Sequence, residues 1–265
     1  MKIACIGDCK SFTETGSHSH GDVLATAVYL ARAGLDVYFI GAIEDGLLIS
    51  DFRNCLTEEG INSEFVSNSS AADFFSADGL ASLAGSVDQF DYIYLTGKVL
   101  SLIKEEGCNC LFKILRKFRA DGGKVVFDCD HGSSKWNSEE QAINTYKDLL
   151  EITDISLPNF EEESLLFNDA NVEELIARHH KLGIDEIVVK NGTNPNWLST
   201  KPEKPPKEFP IESIQSALNP NGAGSAFNAA YIATRLSGKT YCGSIEQGQI
   251  LAAKVVLNAG VIPSK

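Results

Sequence analysis

Residues 219–227 read NPNGAGSAF and place two glycines at the start of an apolar helical segment. Glycines in the first turn of a helix let backbone N–H groups converge on one point, where the helix dipole adds partial positive charge. We therefore expect Gly222, Ala223 and Gly224 to form an anion hole that suits a phosphate or a phosphoryl group in transfer. The alternative is an ordinary glycine-rich helix start with a polar side chain as its cap.

Two better-known phosphate loops do not fit this stretch. A dinucleotide fingerprint, GxGxxG, follows the first strand of its domain, whereas this turn lies near the C-terminal end of the sequence. A Walker loop needs GK[ST] after its glycines, and that run does not follow here.

Short β-rich runs alternate with amphipathic helical segments upstream of this turn, and two long helices close the chain. The predicted strands are residues 2–6, 36–40, 92–95, 124–127, 154–156 and 186–190. The predicted helices are residues 21–33, 47–59, 99–120, 138–150, 172–182, 222–236 and 244–259. This alternation is typical of a parallel sheet with helices on both faces. The proline-rich residues 194–209 are predicted to form a connector or an edge hairpin.

Composition limits the class of protein. The chain has 265 residues, of which 43% are hydrophobic, enough for a packed α/β protein. Its net charge of −13 argues against a nucleic-acid partner. The longest uncharged apolar stretches fall short of the roughly 20 residues of a membrane span. Seven cysteines without a CxxC pair indicate reduced thiols, so we expect a soluble, cytoplasmic protein.

NPNGAGSAF resembles the DTxGAGDxF signature of the ribokinase (PfkB-type) sugar kinases, and further motifs of that family follow its order along the chain. Residues 41–46 and 56–61 look like the family's G-x-x-G-x-D-x-x-G and L-x-x-x-G-V segments, with Glu44 at the second glycine. Residues 159–162 match its N-x-x-E motif, and residues 188–192 resemble its V-x-K-L-G strand.

The resemblance covers most of the chain. The short length and residues 27–29, 127–136 and 247–254 look most similar to the fructosamine (fructoselysine) 6-kinase branch.

This resemblance implies a ribokinase-like three-layer α/β/α domain over residues 1–265, with a mostly parallel central sheet and helices on both faces. Members of the family build a β lid, for which only residues 10–20 and 63–84 leave room, so a reduced lid is expected. A homodimer is one option that the sequence leaves open.

The resemblance also implies transfer of the ATP γ-phosphoryl group to a sugar hydroxyl, with Mg²⁺ bound to the nucleotide. It assigns nucleotide binding to Asn159, Glu162, Lys190, Gly192, Ala253, Val256 and Asn258. Glu162 would hold Mg²⁺ through water, because hard oxygen ligands suit that ion. Alternatively, Glu162 is one of three acidic residues that complement the dipole of a helix start.

The catalytic position departs from the family pattern. Ser225 occupies the place of the catalytic aspartate and Asn219 that of the signature's first aspartate. A serine hydroxyl is too weak a base at neutral pH, and losing a positioned base typically costs about 10²–10⁴ in rate. We expect Ser225 to cap the helix instead.

The acceptor side is altered as well. The family's sugar-binding aspartate falls on Phe12, its Gly-Gly pair on His20-Gly21, and its asparagine on Ala25. Acidic residues nearby could replace these groups, or could belong to a hydrated loop. The substrate-binding candidates are Asp8, Phe12, Gly21, Ala25, Asp128 and Asp130, with Asp22 and His131 as further nearby polar groups.

Three functions remain open from the sequence. The first is a carbohydrate kinase that uses another base, such as Asp128 or Asp22. The second is a non-catalytic pseudokinase that binds a nucleotide, a sugar or a protein. The third is a structural partner without a ligand, against which the retained glycine turn, Asn159 and Glu162 all weigh.

Overall fold

The computed structural model describes residues 1–8, 22–43, 46–130, 136–211, 222–258 and 262. The strands are β1 Lys2–Ile6, β2 Asp36–Ala42, β3 Ile61–Asn62, β4 Val66–Ser67, β5 Tyr92–Thr96, β6 Lys124–Asp128, β7 Ile155–Ser156, β8 Glu186–Val189, β9 Asn196–Ser199 and β10 Lys207–Phe209.

The α-helices are α1 Asp22–Arg32, α2 Gly46–Glu58, α3 Ala71–Phe74, α4 Ala77–Ala81, α5 Gly97–Leu100, α6 Glu105–Ala120, α7 Glu139–Leu150, α8 Phe160–Phe167, α9 Val172–Lys181, α10 Ala223–Leu236 and α11 Tyr241–Val256. A 3₁₀ turn covers Val87–Gln89. The chain divides into two compact units, Met1–Ala71 with Glu212–Lys265, and Ala72–Ile211.

The first unit contains a parallel sheet built around β2. β1 pairs with β2 along its whole length, and β3 and β4 pair with successive parts of β2. The last four residues of β1 and the last six of β2 are buried. Strands of parallel sheets are covered on both faces, which explains why these runs are continuously apolar rather than alternating.

The helices of the first unit pack closely at small residues. Residues 23–30 of α1 are all buried, so this helix has no solvent-facing stripe in its central turns. α10 packs against both α1 and α11. A side chain at Gly248 of α11 would bring its Cβ within 2.8 Å of the Phe227 ring of α10, so the glycine allows the close approach of the two helices.

The second unit contains a sheet in the order β10-β9-β8-β7-β6-β5. β5 to β8 are mutually parallel, and β9 and β10 add an antiparallel hairpin beside β8. The hairpin confirms one of the two alternatives for residues 194–209. Prolines fit its connecting segment because they cannot donate to a strand ladder.

One predicted helix is split in two. The expected helix over residues 99–120 is interrupted between Leu100 and Glu105, and Lys104 is the N-cap of α6. Val99, Leu100 and Ile103 are all buried. The hydrophobic pattern therefore continues through the turn, and periodicity alone does not reveal the break.

Of the two segments expected to form a lid, only residues 63–84 belong to the described part of the chain. Residues 63–84 form β4, α3 and α4, so only two of these residues are in a strand. Residues 10–20 lie outside the described part of the chain. The reduced lid and the single domain therefore stay predictions.

Cysteines serve as small apolar residues where they are buried. Cys5, Cys108 and Cys129 are buried thiols without a disulfide. Burial raises the pKa of Cys108 to about 12, so its thiol stays protonated at neutral pH. Within the described helices, none is long and apolar enough to cross a membrane.

Candidate active site

The carboxyl ends of β6 and β8 are joined by a buried ion pair. The Lys190 ammonium donates to Asp128 Oδ1 over 2.7 Å, and the Tyr94 hydroxyl donates to Asp128 Oδ2 over 3.1 Å. The side chains of Lys190 and Asp128 are only 14% and 5% exposed. Both oxygens of Asp128 thus have a donor, and the carboxylate holds Lys190 in place.

Asn159 lies beside Lys190. The fold thereby brings together the N-x-x-E motif and the V-x-K-L-G-like strand. A parallel bridge joins the two residues, with Phe160 N donating to Lys190 O over 2.9 Å and Lys190 N donating to Pro158 O over 2.8 Å. These bonds continue the β7–β8 pairing past the strand ends. Asn159 and Lys190 are thereby held at the same edge of the sheet.

Asn159 also organises the start of α8. It is the N-cap, and its Oδ1 accepts from Glu161 N over 3.1 Å. Its amide Nδ2 lies 3.5 Å from Glu162 Oε1, in the first helical turn. Glu162 is half-buried. Its position is consistent with both alternatives given from the sequence. As an acidic residue at a helix start it complements the helix dipole, and it offers a hard oxygen ligand next to Asn159.

A second lysine–aspartate pair lies on the other side of β6. Lys98 Nζ, in α5 directly after β5, lies 2.7 Å from Asp130 Oδ2. The Tyr146 hydroxyl donates to the backbone oxygen of Asp130 over 3.0 Å. Burial raises the pKa of Tyr146 well above its ordinary value, so its hydroxyl remains a donor. The segment after β6 is thus fixed from two sides.

Gly97 makes that arrangement sterically possible. A Cβ at this position would overlap the Tyr146 hydroxyl and the backbone oxygen of Asp130. The end of β5 therefore approaches the segment after β6 only because position 97 has no side chain.

A buried charged network joins α8 and α9. Glu163 Oε1 lies 2.6 Å from His179 Nε2 and accepts from Arg178 Nη2 over 3.0 Å. Arg178 also pairs with Asp169 at 2.6 Å and lies over the Phe167 ring. Burial by itself raises the pKa of Glu163, but His179 and Arg178 outweigh it, and the net pKa is lowered.

Cys129, Glu163 and His179 place ligand-type atoms within 4.8 Å of one another. A metal cation there would compete with the Arg178 guanidinium for the same carboxylate. Burial also raises the pKa of the Cys129 thiol well above its usual range, which disfavours the thiolate that a metal needs. We therefore describe this cluster as an ion-pair network that packs α8 against α9.

In the first unit, the predicted anion hole begins α10. Gly222 is the N-cap and has a φ of 86°, in the left-handed region that favours glycine. The first intrahelical bond runs from Ala226 N to Gly222 O over 2.9 Å. The N–H groups of Ala223, Gly224 and Ser225 precede that bond and point out of the helix end.

The expected capping role of Ser225 is wrong. Ser225 is the third residue of α10 and is buried, whereas the N-cap position is taken by Gly222. An N-cap residue has a non-helical backbone, which a residue inside the first turn does not have.

The remaining predicted residues differ in exposure. Ala253 and Val256 in α11 are half-buried, and Asn258 is exposed just after it. Asp8 is half-buried, and Ala25 is completely buried in α1. Gly192 has a φ of 59° in the turn after β8. Phe12, His20, Gly21, Glu44, His131 and Asn219 lie outside the described residues.

The sequence reasoning missed Tyr94 and Lys98. Tyr94 is the middle residue of β5, and Lys98 follows the carboxyl end of that strand, where ligands of parallel sheets commonly bind. A search for polar residues just after each predicted strand would have identified Lys98, whereas Tyr94 lies inside its strand and gives no such signal.

Comparison with known proteins gives a consistent assignment. Residues 63–265 match the family described as pfkB family carbohydrate kinase. The chain is 29% identical to 2-dehydro-3-deoxygluconokinase of Escherichia coli (strain K12) and 27% identical to that of Dickeya dadantii (strain 3937). Each alignment covers 98% of this chain and 96% of the relative. These relatives do not support the predicted fructosamine 6-kinase branch.

Solved structures confirm the fold. Aminoimidazole riboside kinase from Salmonella enterica, complexed with aminoimidazole riboside and an ATP analogue, superposes with a TM-score of 0.78 at 18% identity. The match covers 98% of this chain and 95% of that structure. The predicted ribokinase-like α/β fold, with a mostly parallel sheet and helices on both faces, is therefore correct.

Proposed function

The chain belongs to the pfkB carbohydrate kinase family, and we propose that it transfers the γ-phosphoryl group of ATP to a hydroxyl of a 2-dehydro-3-deoxy sugar acid. In this reaction the acceptor oxygen bonds to the γ-phosphorus, the bond from that phosphorus to the β–γ bridging oxygen breaks, and ADP leaves. The acceptor's proton passes to a base. The observation that carries the proposal is the Lys190–Asp128 ion pair beside Asn159.

Lys190 is the cation that faces the transferred phosphoryl group in this proposal. Phosphoryl transfer depends on positioning and on neutralising charge on the phosphate oxygens. An ammonium fixed before the substrate binds costs little reorganisation during the reaction. Asp128 and Tyr94 supply that fixation, so Asp128 is a positioning residue rather than the base considered from the sequence.

The nucleotide side also needs a site for Mg²⁺. Glu162, with Asn159 next to it, offers a half-buried carboxylate oxygen, and this donor chemistry fits the ion. When bound, Mg²⁺ supplies positive charge for the phosphate oxygens of ATP. Glu162 would hold it through water, and Asn159 would orient Glu162.

The other nucleotide contacts carry over from the family signature. Gly222, Ala223 and Gly224 would bind the transferring phosphoryl group through backbone N–H groups at the α10 start. The turn at Gly192 would lie along the phosphates. The residues proposed to face the adenine are Ala253, Val256 and Asn258.

The proton acceptor of the site departs from the family pattern, because Ser225 stands in the place of an aspartate. We propose that a carboxylate of the acceptor side, Asp8 or Asp22, takes the proton. The remaining acceptor-side candidates are Phe12, Gly21, Ala25 and Asp130. Ser225, together with the exchanges at Phe12 and Ala25, favours the alternative, a pseudokinase that binds the nucleotide without transferring phosphate.

An ATP-turnover assay tests the proposal. Purified protein with ATP and Mg²⁺ is supplied with 2-dehydro-3-deoxygluconate, fructose or fructoselysine, and ADP release is measured. We expect turnover with the sugar acid. A thermal shift with MgATP but no turnover with any acceptor would favour the pseudokinase, and a Ser225→Asp variant that gains turnover would show that only the base was missing.

Several other features stay predictions. These are the single-domain organisation, the reduced lid, a homodimer and a cytoplasmic location. None of them is needed for the proposed reaction.

A further inference from the structure

The first turn of α8 carries three glutamates with different surroundings. Glu161 is exposed, Glu162 is half-buried beside Asn159, and Glu163 is completely buried. Successive residues of a helix are turned by about 100°, so one turn can present one carboxylate to a site and bury the next. The proposed function uses Glu162 and gives Glu163 no part, although a buried carboxylate is costly unless it is paired.

The partners of the Glu163 carboxylate come from α9. Its Oε1 accepts from Arg178 Nη2 over 3.0 Å and lies 2.6 Å from His179 Nε2. The Arg178 side chain is itself fixed, because its Nη2 also donates to Asp169 Oδ2 over 2.6 Å and its guanidinium lies over the Phe167 ring. Glu163 is therefore held at its carboxylate by an anchored side chain of the next helix.

Glu163 also lies close to the end of β6. One of its carboxylate oxygens is within 4.8 Å of Cys129 Sγ, and that thiol lies 3.4 Å from Ser156 Oγ in β7. Cys129 directly follows Asp128, which holds Lys190. One buried carboxylate thus lies among α8, α9 and the segment that carries the Lys190–Asp128 pair.

The backbone of Glu163 connects this anchor to the metal side of the site. Glu163 N donates to Asn159 O over 3.0 Å and closes the first intrahelical bond of α8. Asn159 Nδ2 in turn lies 3.5 Å from Glu162 Oε1. We propose that Glu163 is a positioning residue, which fixes the first turn of α8 so that Glu162 presents its carboxylate to Mg²⁺. This inference rests on the proposed function, in which Glu162 holds Mg²⁺ through water.

A short helix gains most from such an anchor. Helix ends fray, and α8 has only eight residues. The hold on Glu163 therefore sets how closely the first turn keeps one position. Partners that orient a metal ligand typically change metal affinity by about 10- to 100-fold when they are removed.

Binding of Mn²⁺ tests this role without any phosphoryl transfer. Mn²⁺ replaces Mg²⁺ in the measurement because both ions prefer carboxylate and water ligands. Electron paramagnetic resonance gives the Kd of Mn²⁺ for the protein with ADP, and calorimetry gives the Kd of ADP in EDTA. Glu163→Gln should raise the Kd of Mn²⁺ about 10-fold or more and change the Kd of metal-free ADP less than about threefold.

Arg178→Lys reaches the same contact from α9 and is the milder change. A lysine ammonium keeps the charge but lacks the fixed fork with which the guanidinium holds two carboxylates. The Kd of Mn²⁺ should rise about threefold or more, and this variant decides the test if Glu163→Gln does not fold. Neither substitution should add to the effect of Glu162→Gln, because a positioning residue acts through the residue that it positions.

Asp169→Asn is the matched control. Asp169 shares Arg178 with Glu163, but it follows the end of α8 rather than lying in its first turn. Removing its charge should lower the melting temperature and leave the Kd of Mn²⁺ unchanged. The control separates loss of stability from loss of positioning.

Each outcome decides the inference. An unchanged Kd of Mn²⁺ in the Glu163 and Arg178 variants, an equal rise in Asp169→Asn, a full further rise in the Glu162→Gln background, or no Mn²⁺ binding by the wild type with ADP would each overturn it. If the Mn²⁺ affinities change as expected but no acceptor causes ADP release from ATP, the proposed function fails while the positioning role stands. If the sugar acid is phosphorylated and the variants bind Mn²⁺ like the wild type, the reverse holds.

Discussion

Lys190 Nζ donates to Asp128 Oδ1 over 2.7 Å, although the two residues are 62 positions apart in the chain. β7 lies between their strands, so the lysine side chain reaches across one strand end to its partner. The Tyr94 hydroxyl completes the carboxylate's contacts from β5. Three successive parallel pairings thus fix one ammonium group at the edge of the sheet.

Removing the charge of Asp128 tests this arrangement. Asp128→Asn keeps an oxygen for Tyr94 but leaves the Lys190 ammonium without its counter-charge. If Lys190 faces the transferred group, kcat should fall by about 10²-fold, because one preorganised electrostatic contact is worth that much. Steady-state kinetics with the sugar acid measure the effect.

A lysine elsewhere in the second unit provides the control. Lys117→Met removes an exposed ion pair with Asp121 and should leave kcat unchanged. Equal kcat in Asp128→Asn and the wild type would exclude a role for this pair in transfer.

Gly222→Ala tests the backbone of the anion hole. The φ of 86° costs alanine about 1–2 kcal/mol, and adaptation of the turn would move the N–H groups. We expect a lower melting temperature together with a weaker thermal shift by MgATP. Differential scanning fluorimetry with and without MgATP measures both.

Gly238→Ala is the control for strain alone. Gly238 has a φ of 81° shortly after the other end of α10, and a Cβ there meets nothing within 4 Å. It should lose a similar amount of stability but keep the MgATP shift. A normal MgATP shift in Gly222→Ala would argue against the anion hole.

Gly97→Ala should destabilise the second unit. The added Cβ overlaps the Tyr146 hydroxyl and a backbone oxygen, and overpacking of this kind costs about 1–3 kcal/mol. Urea unfolding gives the free energy directly. Gly85→Ala serves as the comparison, because a Cβ there meets nothing within 4 Å. Similar unfolding free energies for both variants would contradict the close packing.

The pH dependence of stability should report on Glu163. Its folded pKa is lowered, so its contribution is fully present above the unfolded value of about 4.3 and is lost as the pH falls through the folded pKa. Glu163→Gln leaves Arg178 with less counter-charge and should cost about 3–5 kcal/mol at neutral pH. The difference from wild type should shrink below about pH 4.3.

Urea unfolding at pH 7 and at pH 3 measures that difference. Glu161→Gln changes an exposed carboxylate in the same helical turn and should show little difference at either pH. A difference for Glu163→Gln that stays constant with pH would mean that the pKa of Glu163 is the same in the folded and the unfolded protein.

The sequence determined most of the architecture. Each of the six predicted strands is present, with β1 over the predicted residues and β5 and β6 one residue longer. These runs are apolar and bounded by polar residues or glycine, and this local pattern is itself what a buried parallel strand requires. The short elements β3, β4, α3 and α4 were not predicted, and the break between α5 and α6 has buried residues on both sides and so leaves no local signal.

The same local reasoning also identified the turn at Gly222, because a glycine before an apolar run marks a helix start without any tertiary information. It failed for Ser225, whose position inside α10 depends on where the chain enters the helix.

Only the tertiary structure decided which charged residues pair at the site. Lys98 meets Asp130 and Lys190 meets Asp128 because parallel pairing places the carboxyl ends of β5, β6 and β8 at one edge. A sequence lists these four residues as separate charged positions, since nothing local specifies the register between distant strands. Side-chain pairing depends on that register, and this is why Asp128 looked like a base in the sequence and is the partner of Lys190 in the fold.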